Sequence, residues 1–150
     1  MTTVAPPPTP RKLHVAEPPA AYLVRPPMVV DSSAICAVLF DEAERAAAAA
    51  QLAGRTLYAP YLLDHEVISV ALKKRRLQWP ADSLALALGE YHAWQIERCE
   101  TDPQAQYELA ARYNLSAYDA AYLWLAAELR APLATFDDKL ARAALDHLKK

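Results

Sequence analysis

The chain has 150 residues, enough for one domain with a real core and too few for two. With 54% hydrophobic and 23% charged residues, its body is globular and not intrinsically disordered. A net charge of −2 excludes a surface built throughout for nucleic acid, so any contact with RNA must come from a local basic patch.

Residues 1–27 hold eight of the 12 prolines. That density forbids a helix or a central strand and reads as an extended or disordered arm, leaving residues 28–150 as the folded domain. Met28-Val29-Val30 is a short apolar strand that runs directly into Asp31-Ser32-Ser33 and a helix. Asp41 is placed to cap a second helix through the alanine run to Leu52, and Gly54 ends it. Thr56-Leu57-Tyr58 is a strand, Pro60 opens a helix to about Leu77, and Pro80 opens another to near Trp94. A short strand is expected at Gln95 to Cys99. Asp102-Pro103 begins a helix ending by Tyr113-Asn114, and Ser116 begins the next, ending near Arg130. Leu133-Ala134-Thr135 is a strand, and a last helix runs from Asp137 to about His147. Strands alternating with helices of this length imply an α/β fold: a parallel sheet of about four or five strands covered by helices on both faces.

Several function classes fall away. Two glycines cannot build a phosphate-cradling loop or a dinucleotide fingerprint. Cys36 and Cys99 match no zinc or redox spacing and read as reduced, buried thiols. No apolar run approaches the roughly 20 residues that cross a bilayer, and the proline-rich start is unlike a signal peptide, so a cytoplasmic location is expected.

The acidic residues carry the chemistry. Asp31 follows the first strand at its carboxyl end, where ligands gather on open parallel sheets, though aspartate is also a good helix cap. On a helical wheel Leu62, Glu66, Val70 and Leu77 share a stripe flanked by Leu63 and Val67. A carboxylate in the middle of that stripe costs several kcal/mol unless paired, protonated or bound to a cation. Asp64 and Arg75, on the other side, read as solvated charges. Asp119 stands at the start of a helix that is apolar almost all round, with Ser116 at capping spacing. Asp137 follows the strand Leu133-Ala134-Thr135 at a junction like that of Asp31, and Asp138 is beside it. Carboxylates brought together cannot all ionise without a cation, and hard oxygen donors suit Mg²⁺ or Mn²⁺ better than zinc. Ions held this way serve phosphodiester hydrolysis. Lys73, Lys74, Arg75 and Arg76 close one helix, where they suit the helix dipole and could also meet RNA phosphates. The four histidines have no ligand-like spacing, and the three tryptophans read as core or dimer-surface residues.

Four segments, in order, resemble the acidic motifs of PIN-domain ribonucleases: Val29-Val30-Asp31-Ser32-Ser33, Leu62-Leu63-Asp64-His65-Glu66-Val67, Ser116-Ala117-Tyr118-Asp119-Ala120-Ala121-Tyr122-Leu123, and Leu133-Ala134-Thr135-Phe136-Asp137-Asp138-Lys139-Leu140. The resemblance spans Met28 to about Ala144, and the intervals of 35, 53 and 18 residues between the acids suit the small VapC-like toxins. It implies a three-layer PIN-like sandwich in which Asp31, Glu66, Asp119 and Asp137 hold Mg²⁺ or Mn²⁺, with supporting hydroxyls from Ser33 and Thr135. It further implies RNA cleavage, a homodimer and inhibition by a cognate antitoxin. Members of the family usually close with a last strand, whereas this sequence stops at Leu148-Lys149-Lys150 just after its final helix, which leaves that edge of the sheet undecided but not the site. Two other readings keep the fold: a binding or assembly module without catalysis, marked by indifference to acid-to-amide changes, and an RNA-maturation nuclease with no antitoxin.

Overall fold

The computed structural model describes residues 2–17 and 25–149. Its elements are β1 (His14–Ala16), β2 (Pro27–Val30), α1 (Ser32–Leu39), α2 (Arg45–Leu52), β3 (Thr56–Pro60), α3 (Leu62–Arg76), α4 (Ala81–Ala93), β4 (Glu97–Cys99), α5 (Pro103–Tyr113), α6 (Ala117–Leu129), β5 (Leu133–Thr135) and α7 (Asp138–His147). The five strands form one sheet in the order β1-β5-β2-β3-β4. β5, β2, β3 and β4 run parallel, and β1 is antiparallel to β5. Helix α6 lies against β2, β3 and β5 with α5 and α7 beside it, while α1 packs on β5 among α2, α3 and α4. The expected mostly parallel, helix-flanked α/β sheet is therefore present.

Burial follows from this layering. A strand covered on both faces has no polar side, and Met28, Val29, Val30, Leu133 and Ala134 are all fully buried. The same holds for α6, where Ala120, Ala121, Tyr122, Leu123, Leu125 and Ala126 leave no wet stripe. Side-chain oxygens of Asp31, Asp102, Ser116 and Asp137 accept backbone N–H bonds at the starts of α1, α5, α6 and α7. Asp41 does not cap. It sits at a positive φ of 50° after α1, and α2 starts four residues later at Arg45. Gly54, at φ 74°, makes the turn into β3 that other residues adopt only under strain.

Part of the extended N-terminal arm joins the sheet. Its residues His14–Ala16 pair with β5, His14 opposite Thr135 and Ala16 opposite Leu133, so β1 covers the β5 side of the sheet. Arg11 anchors it. The Arg11 backbone N–H and Nε both donate to Glu44 Oε1, at 2.6 and 3.0 Å, the guanidinium also pairs with Glu42, and it lies 5.1 Å from the Phe136 ring centre. Hydrogen bonds from Arg11 hold the Glu44 carboxyl below its ordinary range. His14 Nε2 meets Asp138 Oδ1 at 2.5 Å. Residues 18–24 of the arm lie outside the described residues.

Helix α3 is rolled relative to the expected stripe. Leu63, Val67 and Ala71 are its buried residues, Glu66 is half-buried on the flank and Leu77 is 65% exposed. Apolar side chains ring this helix, so its periodicity left the buried face ambiguous by about one residue, or 100°. Asp64 is paired and not merely a solvated charge: it accepts from Tyr91 Oη at 2.5 Å and from Arg98 Nη2 at 2.9 Å, tying α3 to α4 and β4. Burial opposes its ionisation, yet Arg98 and Tyr91 hold its carboxyl below the usual range. Cys36 is buried and Cys99 only half-buried, both as free thiols.

Arg11→Ala should release the arm, with a loss of about 1 kcal/mol and a fall in Tm of roughly 2–4 °C. Faster amide exchange at residues 14–16 with unchanged exchange in β2 is the expected signature; uniform protection would show that Arg11 does not hold β1.

Candidate active site

Asp31 stands at the carboxyl end of β2 and is only 5% exposed. Every polar feature around it is engaged. Its Oδ1 accepts from Ser33 Oγ at 2.7 Å and from the Ala34 N–H at 3.0 Å, and its Oδ2 accepts from the Thr135 hydroxyl. Those hydroxyls are themselves held: Ser33 Oγ accepts from the Phe136 N–H at 2.8 Å, and Thr135 Oγ1 from the Asp137 N–H at 3.0 Å. One carboxylate thus joins β2, α1, β5 and the turn into α7. Burial pushes the Asp31 carboxyl up to about 6 against the lowering effect of these donors, and Asp119 adds repulsion.

Glu66 comes from the second turn of α3. Tyr122 Oη donates to its Oε1 at 2.6 Å, and Ser32 Oγ lies 3.4 Å from its Oε2. Tyr122 reads in the sequence as one more apolar residue of a buried helix, so its role as the donor to Glu66 was missed. The only sequence signal was a hydroxyl in a helix otherwise free of polar side chains at its buried positions. Asp119 is half-buried in the first turn of α6, its own N–H given to Ser116 Oγ at 3.1 Å. Burial raises its carboxyl, and Asp137 and Glu66 raise it further. Asp137 is exposed, caps α7 through a 2.7 Å bond from the Leu140 N–H, and so combines a structural with an electrostatic role. Asp138 turns instead to His14.

The four acids therefore form one electrostatic set, Asp31 coupled to Asp119 and Asp119 to Glu66 and Asp137. Among the described residues no three His, Cys, Asp or Glu side chains close tightly enough to enclose a metal ion. An all-oxygen, open set of mutually repelling carboxylates still fits Mg²⁺ or Mn²⁺, because Mg²⁺ keeps several waters and is commonly held by one or two carboxylates. It does not fit a closed zinc site.

The basic cluster at the end of α3 is divided. Lys73, Arg75 and Arg76 are exposed. Lys74 is half-buried with Nζ 4.3 Å from the Trp79 ring centre and 5.3 Å from that of Phe40, a cation–π seat the other three lack among the described residues.

Fold and site together define an α/β domain in which electrostatically coupled acids stand at the ends of β2 and β5, in the second turn of α3 and in the first turn of α6. The chain belongs to the PIN domain family, whose profile matches residues 28–145, and PIN domains are typically nucleases. Among solved structures it is similar to PAE2754 from Pyrobaculum aerophilum, at 20% identity over 82% of this chain and 89% of that one, with a TM-score of 0.61. No curated protein matches the chain. No helix among the described residues is long and apolar enough to cross a membrane.

A carboxyl raised by burial favours the folded state below its unfolded value and loses that advantage as pH rises through the folded one. For Asp31 the window is pH 3.8 to about 6. In EDTA, Asp31→Asn should therefore gain stability over wild type between these pH values and keep a constant advantage above them. Chemical denaturation at pH 4 and pH 7.5 checks this, and an equal difference at both pH values would contradict it.

Proposed function

We propose that this PIN domain is a Mg²⁺- or Mn²⁺-dependent endoribonuclease that hydrolyses RNA phosphodiester bonds, and that it is the toxin of a toxin–antitoxin pair. The observation that carries the reading is the electrostatic coupling of four carboxylates from four separate segments at one end of the sheet. Repulsion among neighbouring carboxylates of this kind is relieved by a divalent cation.

In this reading Asp31, Glu66, Asp119 and Asp137 would hold the cation. Bound there, it would supply water activation and neutralise charge on the scissile phosphate. The protein's own part is positioning. Ser33 and Thr135 fix both oxygens of Asp31, and the Tyr122 hydroxyl fixes Oε1 of Glu66 and leaves Oε2 beside Ser32. Asp119, in the first turn of α6, is electrostatically coupled to Glu66 and Asp137. Exposed Lys73, Arg75 and Arg76 offer phosphate contacts along α3, a local patch of the sort that a chain of net charge −2 requires. The partners in this reading are an RNA substrate, a second copy of the chain in a homodimer, and an antitoxin whose arginine meets the acidic set.

Purified protein should cleave members of a structured RNA panel in Mn²⁺ or Mg²⁺ and not in EDTA, and Asp119→Asn should lower the rate at least about 100-fold. Tyr122→Phe should lower kcat with little change in KM, by roughly tenfold, since it frees the Glu66 carboxylate without removing it. Absence of cleavage together with absence of Mn²⁺ binding by calorimetry would make the acids structural and the domain a binding module.

A further inference from the structure

At the opposite end of the sheet from the acids lies a groove of about 510 Å³. Its volume falls in the range of roughly 300–1,000 Å³ typical of small-molecule sites. Arg25, Arg45 and Arg55 line it, together with Glu90 and an apolar wall that includes Val38, Leu52, Leu57 and Trp94. Arg25 stands just before β2 and Arg55 just before β3, so both mark the amino ends of parallel strands. The carboxyl ends of the same strands lead to Asp31 and to the Glu66 helix. A strand length of roughly 15 Å, at about 3.3 Å per residue, therefore separates this groove from the acidic set.

Three guanidinium groups from three segments meet one carboxylate here, in a chain whose net charge is −2. Arg55 keeps only 23% of its side-chain exposure, yet its ion-pair partner among the described residues, Glu17 Oε1, is 3.8 Å from Nη2 and beyond hydrogen-bond reach. Arg45 opens α2, an end where the helix dipole disfavours a cation. It gives one N–H to the Val38 carbonyl at 2.9 Å, and its Nε is 4.0 Å from Asp41 Oδ1. Arg25 and Glu90 enter no ion pair among the described residues. Each guanidinium carries five N–H donors in a fixed fork, so most donors of the three have no acceptor among the described residues.

We infer that this groove binds a small organic phosphate, a phosphomonoester held by Arg25, Arg45 and Arg55 with its apolar body against Leu52, Leu57 and Trp94. Arginine forks match phosphate oxygens in pairs, and a terminal phosphate offers three oxygens and up to two charges. A phosphodiester within a nucleic-acid backbone offers two free oxygens and one charge, a poorer match to three guanidinium groups. A bare inorganic anion would leave the apolar wall in water, whereas an aromatic or aliphatic body covers it. The groove shares no residue with the acidic set, so the inference does not depend on the ribonuclease reading.

The test is calorimetric titration of the full chain in EDTA, at constant ionic strength, so that no divalent cation at the acids contributes. The probes are AMP, phenyl phosphate, adenosine and inorganic phosphate. The tighter of the two phosphomonoesters should bind at least about tenfold more strongly than adenosine or inorganic phosphate. Arg25→Gln and Arg55→Gln should each weaken that binding about tenfold, and Glu90→Gln should tighten it severalfold. Lys73→Gln and Arg76→Gln, which remove the same charge from the exposed end of α3, should leave it unchanged. Arg25 is exposed, so its variant should melt as wild type does and carries the test even if Arg55→Gln fails to fold. The site is overturned if neither phosphomonoester binds more tightly than adenosine, or if Lys73→Gln loses as much affinity as Arg25→Gln. A 5′-phosphorylated oligonucleotide that binds through the arginines, when AMP and phenyl phosphate do not, would also overturn it and make the groove a seat for an RNA end.

Discussion

A carboxylate that is almost wholly out of water, Asp31, sets the arrangement of this domain. Burial of such a group is tolerated only when donors surround it, and here the donors come from Ser33 and Ala34 in the helix that follows and from Thr135 on the neighbouring strand β5, about a hundred residues away in the chain. Because Ser33 and Thr135 are in turn fixed by the N–H groups of Phe136 and Asp137, the carboxyl ends of β2 and β5 cannot separate without exposing unsatisfied polar groups in the core. The same bonds aim Asp137 and start α7. Packing of Met28, Val29, Val30, Leu133 and Ala134 supplies the hydrophobic stabilisation, and the Asp31 network fixes the register in which that packing occurs.

Structural and functional roles share these residues. Asp31 and Asp137 both cap helices while belonging to the acidic set, and Asp119 occupies the first turn of a helix whose cap is Ser116. A helix N-terminus stabilises negative charge, which offsets part of the repulsion that gathering carboxylates creates. Burial is the main cause of the raised carboxyls of Asp31 and Asp119, and the remaining repulsion adds to it. Such residual repulsion is a common mark of functional sites, where affinity for a cation is obtained at some expense of stability.

The acidic motifs were readable because each acid stands at a chain position with a local signature: the end of an apolar strand, the start of an apolar helix, or a turn between the two. Strand and helix order was readable for the same reason, since periodicity and proline or glycine punctuation act over a few residues. Glu66 shows where this stops. Helix α3 carries apolar residues nearly all round, and only the packing of Leu63, Val67 and Ala71 on the sheet decides that Glu66 lies on the flank and not in the centre. Tyr122 and Asp64 are alike in this respect: the first proves to be a donor to a carboxylate 56 residues away, the second an acceptor for Tyr91 and Arg98. Lys74 looked like one cation among four and is seated between two rings from other segments.

By itself the sequence determined the α/β class, the number and order of the main elements, and the identity of the acids that mark the strand ends, because all of these follow from local pattern and covalent order. Tertiary structure alone decided that the proline-rich arm turns back to pair with β5, that helix α3 rolls by a residue, and that hydroxyls of Ser33, Thr135 and Tyr122 orient the carboxylates. Each of these is a contact between groups far apart in the chain, chosen by which polar atoms would otherwise be buried alone, and no local pattern records that choice.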